Sequence, residues 1–185
     1  DRARTDAIGE HILATGHDGI VVNGTTGEAS TLTDDESVEM MRRVKERAGD
    51  RAAVVAGVGS NDTRHAVHMA RRAADVGADA LLLVSPYYNK PTQPGLIAHC
   101  HAVADSTDLP VVLYDIPGRT GIPFTTPTLI DLADHPRIVA VKDAKGDLAA
   151  STHVMAATDL LWFSGEDALT LPLLAIGAVG TVSVV

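Results

Sequence analysis

Cysteine is nearly missing from this 185-residue chain, in which Cys100 stands alone. A lone thiol excludes an intrachain disulfide and any Cys-x-x-Cys motif, and nothing asks for an oxidising compartment, so a cytoplasmic location is expected. Aromatic residues are scarce at 3%, and basic residues are outnumbered, 15 Lys and Arg against 24 Asp and Glu, for a formal charge of −9. No Lys/Arg stripe interleaves with aromatics, so nucleic-acid binding has no electrostatic footprint and a small-molecule partner is expected. Long hydrophobic runs are missing as well. The longest, "LPLLAIGAVGTVSVV", is shorter than a bilayer-crossing helix and is broken by Pro172, Gly177 and Gly180, so it reads as buried core and no membrane partner is expected. The N-terminal "DRARTDAIGE" has neither a starting methionine nor a signal-like apolar region, and the C-terminus stops inside a strand-like run; both ends read as interior points of a longer chain.

What the chain does have is a composition of 45% hydrophobic and 21% charged residues, that of a soluble protein with a sizeable core. Short apolar runs recur along it: "GIVVNG", "AAVVAGVG", "ADALLLVS", "PVVLYDIP", "RIVAVKD", "LLWFSG" and "VGTVSVV". They are near-continuous rather than alternating, which predicts strands of a parallel sheet covered on both faces. Helical periods fill the gaps. Over residues 34–48, Val38, Met41, Val44 and Ala48 share a face and Thr33 with Glu36 can form a capping box. A second helix follows Asn61 and Asp62, turns Ala66, Met69, Ala70, Ala73 and Val76 inward and stops at Gly77. Thr126-Pro127 opens a third in cap-then-proline order.

Alternating strands and helices build either an open doubly wound sheet or a closed (β/α)8 barrel. "GVGSND" offers Gly57 and Gly59 but no third glycine, and no acidic residue ends the next strand, so the dinucleotide-binding fingerprint is incomplete. The barrel reading counts seven strands, with residues 3–17 as the helix after an absent first strand. A whole barrel takes about 250 residues. Residues 1–185 are therefore expected to be a single partial (β/α)8 TIM-barrel domain, strands 2 to 8, lacking the first strand and a C-terminal helical extension.

In a parallel sheet, functional groups gather at the carboxyl ends of strands. All three tyrosines fall there, Tyr87 and Tyr88 in "SPYYNKP" and Tyr114 in "LYDIPGRTG"; Lys142 ends another strand and "GTTGE" follows a fourth. Singly, such residues are often rim tyrosines or snorkelling lysines; convergence of four strand ends on one mouth points to a site. A desolvated lysine there loses its proton readily and can attack a carbonyl to form a Schiff base. Bound in this way, a 2-keto acid becomes an enamine and adds to an aldehyde without a metal. Tyr114 is placed to move the proton, and Thr25, Thr26 and the amides of the glycine-flanked turn can cradle a carboxylate.

"GTTGEASTLT", "PYYNKPTQPGL", "LYDIPGRTG", "VKDAKGD" and "FSGEDAL", in this order and spacing, resemble the dihydrodipicolinate synthase family of pyruvate-dependent class I aldolases. The resemblance implies a lyase of lysine and diaminopimelate biosynthesis that condenses pyruvate with aspartate semialdehyde, with no cofactor beyond the covalent imine and no metal. It implies Lys142 as the Schiff-base residue, Tyr114 as the acid/base group, and Thr26 with Tyr88 as its proton relay. Tyr88 would come from a neighbouring subunit, so a homotetramer, a dimer of dimers, is expected. Thr25 and Thr26 would contact the pyruvate carboxylate, Arg119 the carboxylate of the aldehyde, and the carbonyl of Val182 would face the substrate. Related sialic acid lyases and sugar-acid aldolases share the lysine and tyrosine but typically lack the arginine and the double threonine, so Arg119 favours the synthase. A guanidinium recognises a carboxylate bidentately. Members that bind lysine use a serine and a histidine after "GTTGE" and a glutamate on the next helix; here those places hold Ala29, Asp34, Ser37 and His65, while Asn61 and Tyr87 remain, so weak or absent lysine inhibition is expected.

Other signals are set aside. His65, His68, His99 and His101 are expected on outer helices with no accompanying metal motif. Lys145, after the strand and before Gly146, reads as a solvated loop residue. Glu166 and Asp167 are adjacent and read as caps of the next helix rather than as a glycosidase pair.

Overall fold

The computed structural model describes residues 2–184. Helices and strands alternate as α1 (Arg2–Ala14), β1 (Gly19–Val22), α2 (Asp34–Ala48), β2 (Ala53–Gly57), α3 (Thr63–Asp75), β3 (Ala80–Val84), α4 (Gln93–Ala104), β4 (Val111–Asp115), α5 (Pro117–Thr120), α6 (Thr126–Ala133), β5 (Ile138–Asp143), α7 (Leu148–Ala157), β6 (Leu161–Ser164), α8 (Thr170–Ala175) and β7 (Gly180–Thr181). The seven strands form one parallel sheet in chain order, β1 to β7, curled as a half-barrel. A doubly wound sheet would reverse its order part-way; this one does not.

Local chemistry accounts for the elements. The Thr33 hydroxyl accepts from the Glu36 amide while the Glu36 carboxylate accepts from the Thr33 amide, so α2 opens with a complete capping box. Asp62 caps α3, and Gly77 ends it in a left-handed turn at φ +81°. The cap of α6 is Thr125, one residue earlier than expected: its hydroxyl bonds to Thr128, which moves Thr126 and Pro127 inside the first turn. Of "VGTVSVV", Gly180 and Thr181 form β7 and pair with β6, residues 182–184 are outside the strand, and Val185 lies outside the described residues.

The sheet is covered throughout on one face only. Val54, Ala56, Leu81, Leu83, Leu113, Val141 and Trp162 are buried under the helices; on the opposite face Leu82, Tyr114 and Ala140 of the central strands are buried, whereas Val21, Val55, Ala80, Val112 and Phe163 are only half-buried. Burial therefore alternates along β1, β2 and β6 although hydrophobicity does not. The reason is geometric: βα crossovers lay every helix on one side, and a curled sheet fills its inner face only as far as its own strands reach. Gly57 and Gly59, which suggested a nucleotide loop, serve packing. A Cβ on Gly57 would collide with the Asn23 carbonyl and one on Gly59 with Val84, so glycine lets β2 lie close to its neighbours.

His99 of α4 is 3% exposed; its Nδ1 shares a 2.9 Å hydrogen bond with the Thr63 hydroxyl, and its Nε2 has no hydrogen-bond partner among the described residues. Burial holds this imidazole below its ordinary pKa. The unfolded chain, titrating near about 6.5, takes up the proton first, so the stability from neutral His99 is complete above that pH and is lost as pH falls through the lowered native value. Urea midpoints measured from neutrality down to about pH 5 are expected to fall more steeply in the native sequence than in His99→Gln.

Candidate active site

The register of β3 to β6 builds the site. Val84, Tyr114, Lys142 and Phe163 are successive partners on four adjacent strands, so their side chains stand in one row on the half-buried inner face. Lys142 folds back within this row until its Nζ lies 4.3 Å from the centre of the Tyr114 ring. Burial lowers the pKa of Lys142, so its amine gives up its proton more readily than an exposed lysine. Tyr114, 8% exposed, is shifted the other way. Burial raises its phenol, Arg119 pulls it down and Glu166 adds to the rise. The amine faces the ring rather than the hydroxyl, and no Lys142 to Tyr114 hydrogen bond occurs among the described residues.

Lys142 occupies space that glycine leaves open. A Cβ on Gly165, just past β6, would stand 2.9 Å from Lys142 Cε and 3.0 Å from its Cγ. Nothing in the single-sequence pattern marks Gly165 for this, because the contact is made between neighbouring strands.

One residue further along, the pleat turns to the helix side, where Asp115 and Asp143 are paired and each only 1% exposed. Asp143 Oδ2 accepts from Ser151 Oγ at 2.6 Å and from Trp162 Nε1 at 3.1 Å, while Oδ1 accepts from the amides of Lys145 and Gly146. Asp115 Oδ1 accepts from the Phe124 amide at 3.2 Å, and Oδ2 lies 3.2 Å from Lys145 Nζ as an ion pair without hydrogen-bond alignment. Burial pushes the Asp115 carboxyl up from the ordinary range against the pull of Lys145. Lys145 is thus not a solvated loop residue: its side chain is 14% exposed and donates to the Phe124 carbonyl at 3.3 Å. Loop position suggested solvent, but a buried carboxylate on the next strand draws the chain inward. Both aspartates could have been sought in the sequence as the polar residues that end "LYD" and "VKD".

The remaining expected site residues lie on the surrounding loops. Thr25 and Thr26 are exposed in a 3-10 turn, Thr25–Gly27, after β1. Arg119 is exposed on α5. The Val182 amide donates to the Ser164 carbonyl at 2.8 Å, which brings Val182 beside the end of β6. Tyr88 is 87% exposed with a left-handed backbone, φ 70°, and its amide meets the Thr120 carbonyl at 3.3 Å. No side-chain hydrogen bond joins Thr26, Tyr88 and Tyr114 among the described residues. Glu166 makes no cap bond, contrary to expectation; its carbonyl instead accepts from Ser164, while Asp167 receives the Ser183 hydroxyl. His65 is tied to Asp34 at 2.9 Å and to Ser60 at 3.2 Å, and His101 packs against His135. No group of three or more potential metal ligands occurs among the described residues.

The family model of the dihydrodipicolinate synthetase family matches residues 1–185. The chain belongs to this family. It is 57% identical over 178 residues to 4-hydroxy-tetrahydrodipicolinate synthase 2 of Streptomyces coelicolor, an overlap of 96% of this chain and 60% of that protein. Among solved structures, dihydrodipicolinate synthase DapA-2 of Bacillus anthracis superposes with a TM-score of 0.97 at 44% identity, covering 100% of this chain and 64% of that one. The Cyanidioschyzon merolae synthase, solved with lysine bound, gives 0.96 at 47% identity and 99% and 63% coverage. The chain thus spans less than two thirds of these relatives' length.

The four lysines, Lys45, Lys90, Lys142 and Lys145, offer a direct check on the amine. In competitive labelling with a small acylating reagent over a pH series, Lys142 is expected to show a midpoint below the usual lysine value, in the direction burial imposes. A midpoint at that usual value, about 10.4, would refute the desolvated amine.

Proposed function

We propose that the full-length protein is a 4-hydroxy-tetrahydrodipicolinate synthase, a cytoplasmic enzyme that condenses pyruvate with aspartate semialdehyde, and that residues 1–185 supply strands 2 to 8 of its single barrel domain. The observation that carries this reading is the desolvated Lys142 amine against Tyr114 on one row of the inner face. Sequential strand order with unpaired outer edges, and a length about 60% of the relatives', support the partial barrel.

In this reading Lys142 Nζ, as the free amine, adds to the C2 carbonyl of pyruvate, and loss of water leaves a protonated imine. The imine draws electrons from C3, which gives up a proton to form the enamine, and the enamine carbon adds to the aldehyde carbon of the second substrate. Tyr114 protonates the resulting alkoxide, Thr26 and a partner subunit's tyrosine at position 88 return the proton, and the amine of the bound aldehyde partner displaces Lys142 as the ring closes. Thr25 and Thr26 hold the pyruvate carboxylate, the Val182 carbonyl faces the substrate, and Arg119 holds the carboxylate of the aldehyde. No cofactor or metal takes part. The high exposure of Tyr88 suits a side chain buried only by another subunit, in keeping with a homotetramer. A sialic acid lyase or sugar-acid aldolase is less well supported, because an exposed guanidinium at the mouth suits a carboxylate rather than a polyol.

Borohydride reduction of the full-length protein with pyruvate, followed by peptide mapping, is expected to leave a pyruvate-derived adduct on Lys142; an adduct on another lysine, or none, overturns the reading. Arg119→Ala is expected to leave that adduct intact while raising the KM for aspartate semialdehyde roughly 10- to 150-fold, the loss of about 1.5–3 kcal/mol from a charged hydrogen bond. Lysine inhibition is expected to be weak or absent, since Asp34 is already engaged by His65; a micromolar inhibition constant on the full-length enzyme refutes this.

A further inference from the structure

The segment that carries Arg119 leaves β4 at Ile116, turns through α5 and returns at Phe124 before α6 begins. Its two ends are joined from beneath. Asp115 Oδ1 accepts from the Phe124 amide at 3.2 Å, and Lys145 Nζ, coming from the loop after β5, bridges Asp115 Oδ2 at 3.2 Å and the Phe124 carbonyl at 3.3 Å. Phe124 itself is buried, 1% exposed. The Ala144 amide also donates to the Asp115 carbonyl at 2.9 Å, which ties the Lys145 loop to the same strand end. Inside the segment, the Thr120 hydroxyl donates to the carbonyls of Ile116 and Ile122. A second clamp lies on the outer side, where Gln93 of α4 donates to the Pro123 carbonyl and accepts from the Thr125 amide. Arg119 projects from the middle of this closed loop with no ion pair among the described residues.

We infer that Lys145 is a positioning residue for the aldehyde substrate, closing the Arg119 loop onto the buried Asp115 so that the guanidinium is held where a carboxylate-bearing aldehyde must dock. This rests on the reading of Arg119 given above. Lys145 makes no hydrogen bond or ion pair with Lys142 or Tyr114 among the described residues, and it works from the helix side of the sheet while the chemistry is on the inner face. Its effect must therefore fall on the second substrate. A hydrogen bond to a carboxylate depends steeply on distance and angle, so a loop free to drift by about 1 Å loses much of it.

The test compares Lys145→Met and Lys145→Arg in the full-length enzyme. Lys145→Met, which keeps the stem and removes the cation, is expected to raise the KM for aspartate semialdehyde about tenfold or more and to leave the KM for pyruvate and the yield of borohydride-trapped Lys142 within about twofold. Lys145→Arg, which keeps a charged donor, is expected to restore most of the loss. An unchanged aldehyde KM in folded Lys145→Met, or an equal loss for both substrates, overturns the inference. Removing the lysine alone strands a buried carboxylate, so D115N/K145M, in which both charges are gone, carries the same test if Lys145→Met does not fold. Failure of that double variant to fold also overturns the inference, because it assigns the pair to holding the fold. The two readings fail separately. No adduct at Lys142 in the native enzyme defeats the proposed function, whereas an adduct with an aldehyde KM indifferent to Lys145 defeats only this inference.

Discussion

The parallel register between β4 and β5 is the constraint on which the rest depends. It sets Tyr114 opposite Lys142 and Asp115 opposite Asp143. Because side chains alternate across a strand, the first pair must face the inner side of the sheet and the second the helix side. A slip of one residue would exchange them, burying the lysine among helices and turning a carboxylate toward the mouth. Contacts from the loop after β5 oppose that slip, since the Ala144 amide donates to the Asp115 carbonyl at the end of β4 and Lys145 Nζ pairs with the Asp115 carboxylate.

The two lysines three residues apart show how the same side chain takes opposite parts. Lys142 stands between Tyr114 and Phe163 with its amine against an aromatic face and makes no ion pair among the described residues, and burial lowers its pKa. Lys145 is more deeply covered than its loop position suggests, and it is countered by Asp115. Desolvation without a counter-charge favours the free amine; desolvation beside a carboxylate makes an anchor. The unpaired lysine is suited to attack a carbonyl and the paired one to fix a loop.

Much of the architecture was legible in the chain. Seven apolar runs separated by helical periods, with Thr33, Asp62 and Gly77 at helix ends, pointed to a parallel α/β layer, and the strand ends carrying Tyr114 and Lys142, which the register makes neighbours, could be named as a candidate site. Three things were not legible. Covering of the sheet on both faces was inferred from continuous hydrophobicity, which records residue type and not whether a facing layer is present. Lys145 was read as solvated because its partner lies thirty residues earlier on another strand. The clearance that Gly165 provides for Lys142 is likewise made across a strand boundary, where no local period can register it.

The sequence by itself determined the strands, the helix caps and the presence of a lysine, a tyrosine and an arginine at strand ends, because propensity, capping and periodicity act over a few residues. Only the tertiary structure decided which of those ends are neighbours, on which face each side chain stands, and whether a charge is countered. Strand order and register bring residues distant in sequence within a few ångströms, and at that range desolvation and ion pairing separate Lys142, whose pKa burial lowers, from Lys145, which pairs with Asp115.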